Sequence, residues 1–234
     1  SSTGVIVTTS TGIVENIEKI EELPEYLNHT LNWSGLTFVK VLENNSVYTR
    51  YQISYLSDGL RISGIMNIPK WENKYPLVIL NHGHIDTNIY TLGRWLKREQ
   101  DYLARNGFAV LHTDYRNHAF SDKDQELIGE RTLSRTVKYG SDSMNAIIAV
   151  RSAIEEWMTE VANVDAEKVG MLGHSMGGWV TMYSLVAHPD LIDAAVLYAP
   201  VHSNEYYNFH RWMKNRLSQI EYTTLETKTG PLGN

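Results

Sequence analysis

Gly173-His174-Ser175-Met176-Gly177-Gly178 lies between Lys168 to Leu172, which reads as a buried strand, and Trp179 to Ala187, which reads as a helix. The pattern G-x-S-x-G in that setting predicts a sharp strand-to-helix turn that lifts a serine hydroxyl out of a sheet on a strained backbone. Gly173 and Gly177 stand two residues either side of Ser175, where a Cβ would collide across the turn, and Gly178 would let the helix pack close to the strand. Val169, Met171 and Leu172 supply the apolar strand. Trp179, Val180, Met182, Tyr183, Leu185 and Val186 supply a helix apolar on nearly every side. The first turn of that helix would aim the Met176 N–H, and the positive end of the helix dipole, at the serine.

Working outward, Leu77-Val78-Ile79-Leu80 is a continuous apolar run, the mark of a parallel strand covered on both faces. Arg94 to Asn106 has helical spacing at Trp95, Leu96, Tyr102 and Leu103 and stops at Gly107; Phe108 to His112 reads as the next buried strand. Ser143 to Met158 carries Met144, Ile147, Ile148, Ile154 and Trp157 on one helical face. A turn at Asn163 to Glu167 follows, and Ala194 to Leu197 reads as one more buried strand. Nearer the start, Val47, Thr49, Tyr51, Ile53 and Tyr55 alternate, and Ser57-Asp58-Gly59 turns the chain into Leu60 to Ile68, a β-hairpin. Strands alternating with helices specify a mostly parallel central sheet with helices on both faces. In such sheets the site lies at the carboxyl ends of the strands, where Ser175, Asn81 to Asp86 and Asp114 to Ser121 would emerge.

With 234 residues, 42% hydrophobic and 21% charged, the chain suits one main α/β domain over residues 47–200. An arm, partly helical or flexible, is expected over 1–46, with a helix over Glu15 to Leu27, and a lid or cap segment over 201–234. The formal charge of −6 with dispersed basic residues excludes a nucleic-acid partner. The absence of cysteine excludes disulfides, thiolate catalysis and cysteine zinc sites. No apolar run reaches the roughly 20 residues of a membrane span, so a soluble chain is expected, with compartment and oligomeric state open.

Gly-His-Ser-Met-Gly-Gly resembles the nucleophile elbow of the α/β-hydrolase superfamily. Asn81-His82-Gly83-His84 is similar to that family's oxyanion loop, and Asp114-Tyr115-Arg116-Asn117-His118-Ala119-Phe120-Ser121 is similar to its Asp-x-Arg-Gly-x-Gly-x-Ser loop. Asn117 and Ala119 replace both glycines of the latter; Ala119 and the bulky Phe120 suggest a reshaped pocket wall. The hairpin, Asn163-Val164-Asp165 and the elbow look most like the prolyl-oligopeptidase and feruloyl-esterase branch. The resemblance implies a serine hydrolase acting on a small-molecule ester or related acyl bond, without metal or organic cofactor. Ser175 would be the nucleophile, and the N–H groups of Met176 and His84 the oxyanion donors. A serine peptidase is the alternative.

The superfamily's acid and base follow the serine on later strands. The tail after Pro200 reads instead as amphipathic helix, with Tyr206, Tyr207 and Trp212 as candidate substrate contacts in the start of a helical cap. The C-terminal strands, and with them the catalytic Asp and His, are expected beyond Asn234. A non-catalytic binding protein of the same fold is a second reading. A third is a zinc hydrolase, since His82-Gly83-His84-Ile85-Asp86 also fits H-x-H-x-D. His174, inside the elbow, is expected to be packed or hydrogen-bonded below the turn.

Overall fold

The computed structural model describes residues 31–127 and 133–202, together with 207, 211 and 218. A seven-stranded sheet organises them: β1 (Trp33–Asn44), β2 (Tyr48–Ser57), β3 (Leu60–Pro69), β4 (Tyr75–Asn81), β5 (Ala109–Thr113), β6 (Val164–His174) and β7 (Ala194–Tyr198). Its order is β1-β2-β3-β5-β4-β6-β7. The block β5-β4-β6-β7 is parallel, and β1, β2 and β3 join it through antiparallel pairs. Three helices connect the strands: α1 (Lys97–Arg105), α2 (Leu133–Glu155) and α3 (Met176–Ala187).

The continuous apolar strands are buried on both sides, as their composition requires. Leu77, Ile79, Ala109, Leu111, Val169 and Met171 face α2, where Met144, Ile147 and Val150 are fully buried. Val78, Leu80, Val110 and Leu172 point the other way, against Leu96 and Ala104 around α1. Each buried Leu, Ile, Val or Met among them contributes roughly 2 kcal/mol by leaving water.

Chain direction sets the location of the site. From β4 the chain crosses to β5 on one side; from β6 it continues to β7 on the other. The sheet therefore reverses its winding between β4 and β6, and the crevice forms at their carboxyl ends.

Several elements differ from expectation. The sheet begins at Trp33 rather than near Val47: β1 is an edge strand with three register irregularities and Gly35 at φ 52°, and these break the alternation that would have revealed it. Helix α1 starts at Lys97, not Arg94, because Trp95 and Leu96 take left-handed backbone at φ 84° and 50°. Helix α2 starts ten residues before Ser143. It ends in a Schellman-type cap, with Trp157 N–H donating to Ile154 and Met158 N–H to Ala153. Trp157 sits in the left-handed cap position at φ 60° and is 90% exposed, so it leaves the apolar face assigned to it. Strand β6 extends back to Val164, the expected turn being an irregularity opposite Pro76 and Leu77. Strand β7 is apolar but exposed at every residue: among the described residues it is the outermost strand and nothing pairs its outer edge. The helix expected over Glu15 to Leu27 and most of the expected cap lie outside the described residues. No helix among the described residues is long and apolar enough to cross a membrane.

Candidate active site

Ser175 follows the last residue of β6 and precedes the first residue of α3, at φ 55° and ψ −118°. Left-handed backbone with this ψ is strained for a residue with a side chain, and three main-chain bonds hold it. The Ser175 N–H donates to the Tyr198 carbonyl at 3.1 Å, and its carbonyl accepts from Gly178 at 3.0 Å and Val201 at 3.2 Å. The flanking glycines are required by close approach. A Cβ on Gly173 would lie 2.1 Å from the Gly177 oxygen, across the turn as expected. One on Gly177 would lie 2.0 Å from the Asn81 oxygen, so this glycine admits the end of β4. Gly178 clears Pro200, beyond β7, rather than β6.

The loop after β4 reaches the serine. A Cβ on Gly83 would stand 3.2 Å from Ser175 Cβ and 3.1 Å from His174 Nδ1, which puts Gly83, with His84 next in the chain, directly beside the hydroxyl-bearing carbon. Asn81 fixes this strand end: its amide donates to Thr181 Oγ1 on α3 at 2.9 Å and accepts from Ser143 Oγ on α2 at 2.7 Å, all buried. Met176 is the first residue of α3, where N–H groups lack intrahelical acceptors, and its side chain packs on Tyr115, Tyr139 and Val180. Among the described residues no histidine or carboxylate is hydrogen-bonded to Ser175 Oγ.

Behind the loop lies a buried aromatic and polar cluster. The His82 ring sits 4.8 Å from Tyr90, 4.4 Å from Tyr115 and 5.4 Å from His112, centroid to centroid. Burial first, then His118, pushes its pKa down to about 3. A neutral imidazole carries one N–H. The shorter contact, Nδ1 to the Gly83 carbonyl at 2.7 Å, assigns it there rather than to Nε2, which lies 3.3 Å from the Asp114 carbonyl. Burial likewise lowers His118 to about 4 and His112 well below the ordinary histidine value.

Asp114, at the end of β5, is fully buried and accepts from Ser63 Oγ at 2.7 Å, Tyr90 Oη at 2.7 Å and Gly93 N–H at 2.8 Å. Burial raises its pKa to about 7 against the opposing pull of those donors. Through Tyr90 and Gly93 it ties the loop between β4 and α1 to the sheet. Arg116 is buried against Asp142, with further bonds to Asp58 at 2.8 Å and Asp124 at 3.0 Å. Burial alone would lower its pKa, but these carboxylates, Asp142 foremost, raise it. Asn117 and Ala119, the residues in the glycine positions, both hold positive φ, 69° and 45°.

The structure gathers Ser175, Met176 and the Gly83–His84 segment, and places Phe120 apart from them. Phe120 is 60% exposed; its N–H bonds Ser63 on β3, three strands from β6, a lateral offset of about 14 Å at the usual strand spacing. The pocket wall assigned to it is therefore not beside the serine. Tyr207 is 51% exposed with its ring 4.8 Å from His202, while Tyr206 and Trp212 lie outside the described residues. The zinc set is not assembled. His82 is buried and turned to carbonyls, His84 and Asp86 are exposed, and no group of three or more potential ligands occurs among the described residues.

His174 is not below the turn. Its Nδ1 accepts from Trp95 Nε1 at 3.0 Å, in a groove whose lining includes Trp95, His174 and Tyr198. Trp95 was concealed in the sequence because it reads as the start of a helix. Gly93, a left-handed residue at φ 63°, was the available sign of a break.

An elbow serine at the switch point of a parallel sheet, under a His-Gly loop, defines a site of the α/β-hydrolase class. The sequence profile of the alpha/beta hydrolase fold matches residues 76–231, and the chain belongs to that family. Over 144 residues it is 24% identical to Protein usf of Aquifex pyrophilus, a match covering 62% of this chain and 58% of that protein. The chain thus spans less than two thirds of the curated relatives it matches. In fold it is similar to acetyl xylan esterase 1 from Thermoanaerobacterium sp., with TM-score 0.54, 20% identity and coverage of 89% of this chain and 72% of the other. It is also similar to the acylaminoacyl peptidase of Pyrococcus horikoshii, with TM-score 0.54, 22% identity and coverage of 80% and 30%.

Proposed function

We propose that the protein is a serine hydrolase that cleaves a carboxylic ester or related acyl bond through an acyl-enzyme on Ser175. The observation that carries this reading is the strained backbone of Ser175, held by three main-chain bonds with Gly83 against its Cβ. Strain of this kind at a strand-to-helix turn is what the exposed serine of a nucleophile elbow requires. The attacked carbonyl would place its oxygen between the N–H groups of Met176 and His84, each donor lowering the barrier by roughly 3 kcal/mol. The proton acceptor for Oγ, a histidine oriented by a carboxylate, is assigned to residues outside those described. Ser175→Ala should reduce turnover of a p-nitrophenyl ester to background in the longest natural form. Turnover retained in that variant rules the mechanism out.

A further inference from the structure

One groove at the carboxyl ends of the strands plays no part in the mechanism above. It opens between the segment before α1 and the end of β7, with a volume of about 420 Å³, inside the roughly 300–1,000 Å³ of small-molecule sites. Trp95 and His174 form its floor. The Trp95 N–H···His174 Nδ1 bond requires the acceptor near the indole plane, and the two rings are inclined by only 25° with centroids 5.8 Å apart. The two rings are thus nearly parallel and joined by that bond on one side of the groove. Tyr198, tilted 43° and 5.1 Å from His174, forms a wall. Trp95 and Tyr198 are 46% and 55% exposed, so the faces of these rings are not filled from within the described protein.

This floor is not the side of a helix packed for its own sake. Trp95 stands at φ 84°, a conformation that favours glycine, and its indole is held out over the groove instead of joining the core beside Leu96. The rim is cationic. Arg94, Lys97 and Arg98 line it against the single acid Glu99 among the described lining residues, on a chain whose formal charge is −6. Ile89 anchors the Arg94 guanidinium through its carbonyl. A local basic rim on an acidic protein concentrates anions there. Gly83 connects this groove to the serine: it abuts both His174 Nδ1 and Ser175 Cβ, so a group on the groove floor and an acyl carbon at Ser175 fit within one small molecule.

We propose that the groove binds a planar aromatic group carrying a carboxylate or comparable anionic substituent, and that this group is part of the substrate. The second clause rests on the reading of Ser175 as nucleophile. The ring lies on the Trp95–His174 floor, and the anion faces Arg94, Lys97 and Arg98.

Binding tests the groove without any demand on the serine. Benzoate, benzamide and cyclohexanecarboxylate are titrated into the full chain by calorimetry. Benzoate should bind at least fivefold more tightly than either analogue. Trp95→Ala should abolish the preference over cyclohexanecarboxylate, and the exposed double change Lys97→Glu with Arg98→Glu the preference over benzamide. Equal affinity for the three, binding of none, or preferences that survive both variants would overturn the proposal. Each of those results leaves the serine reading intact, and failure of Ser175 to react leaves the groove intact.

Discussion

Gly83 and Ser175 are in contact across the crevice between β4 and β6: the position of a Gly83 Cβ is 3.2 Å from the Ser175 Cβ and 3.3 Å from the His174 carbonyl. The loop that carries the proposed second oxyanion donor is thus set by the absence of one methyl group. The two neighbours on that side belong to the elbow itself, whose backbone is pinned by Tyr198, Gly178 and Val201 and cannot yield.

Gly83→Ala should therefore move the loop and not the elbow. The chain should remain folded, with a far-ultraviolet spectrum unchanged, while fluorophosphonate labelling of the serine slows by about tenfold, the cost of an oxyanion donor displaced by a fraction of an ångström. Labelling at the parent rate would show that the loop does not serve the serine.

Ala119 tests the glycine positions of the loop after β5. It holds φ 45° where glycine would be unstrained, and left-handed backbone costs a residue with a Cβ about 1 to 2 kcal/mol. Ala119→Gly recovers that strain but adds unfolded-state entropy, so a net gain of up to about 1 kcal/mol is expected in urea denaturation. A loss of stability would contradict it.

Acid should unfold this protein through its buried histidines. His82, at about 3, and His118, at about 4, are depressed from the ordinary 6.5, as is His112, so between about pH 4 and 6.5 the unfolded chain binds protons that the folded chain refuses. Asp114, raised from 3.8 to about 7, acts in the opposite sense: its contribution is present below 3.8 and is lost as pH rises through 7. Burial raises Asp142 in the same sense as Asp114, so three histidines stand against two carboxylates and leave a net fall in stability on acidification, roughly 1 to 2 kcal/mol per pH unit in that window. Denaturation midpoints at about pH 7 and about pH 5 measure it, and equal midpoints would refute the assignment of these rings as neutral.

The sequence declared the parts of this fold whose pattern is local. Leu77 to Leu80, Phe108 to His112 and the elbow could be read because strands buried on both faces are continuously apolar and because close backbone approach leaves glycines at 173 and 177. It concealed β1, whose irregularities scramble the alternation, and the exposure of β7, which depends on what neighbours it and not on its own composition. The site divides the same way. Ser175 is announced by its own motif, but the partnership of Trp95 with His174 spans 79 positions and arises from the left-handed break before α1. Nothing in the spacing of Asp114, Tyr90 and Gly93 announces that one buried carboxylate ties them together.

An activated nucleophile at Ser175 reacts covalently with a fluorophosphonate. The most direct test is the intact and peptide mass of the longest natural form after that reaction, beside the 234-residue chain. One adduct, on Ser175, is expected in the long form, abolished by Ser175→Ala. An unmodified Ser175 in that form, under conditions that label a control serine hydrolase fully, would contradict it.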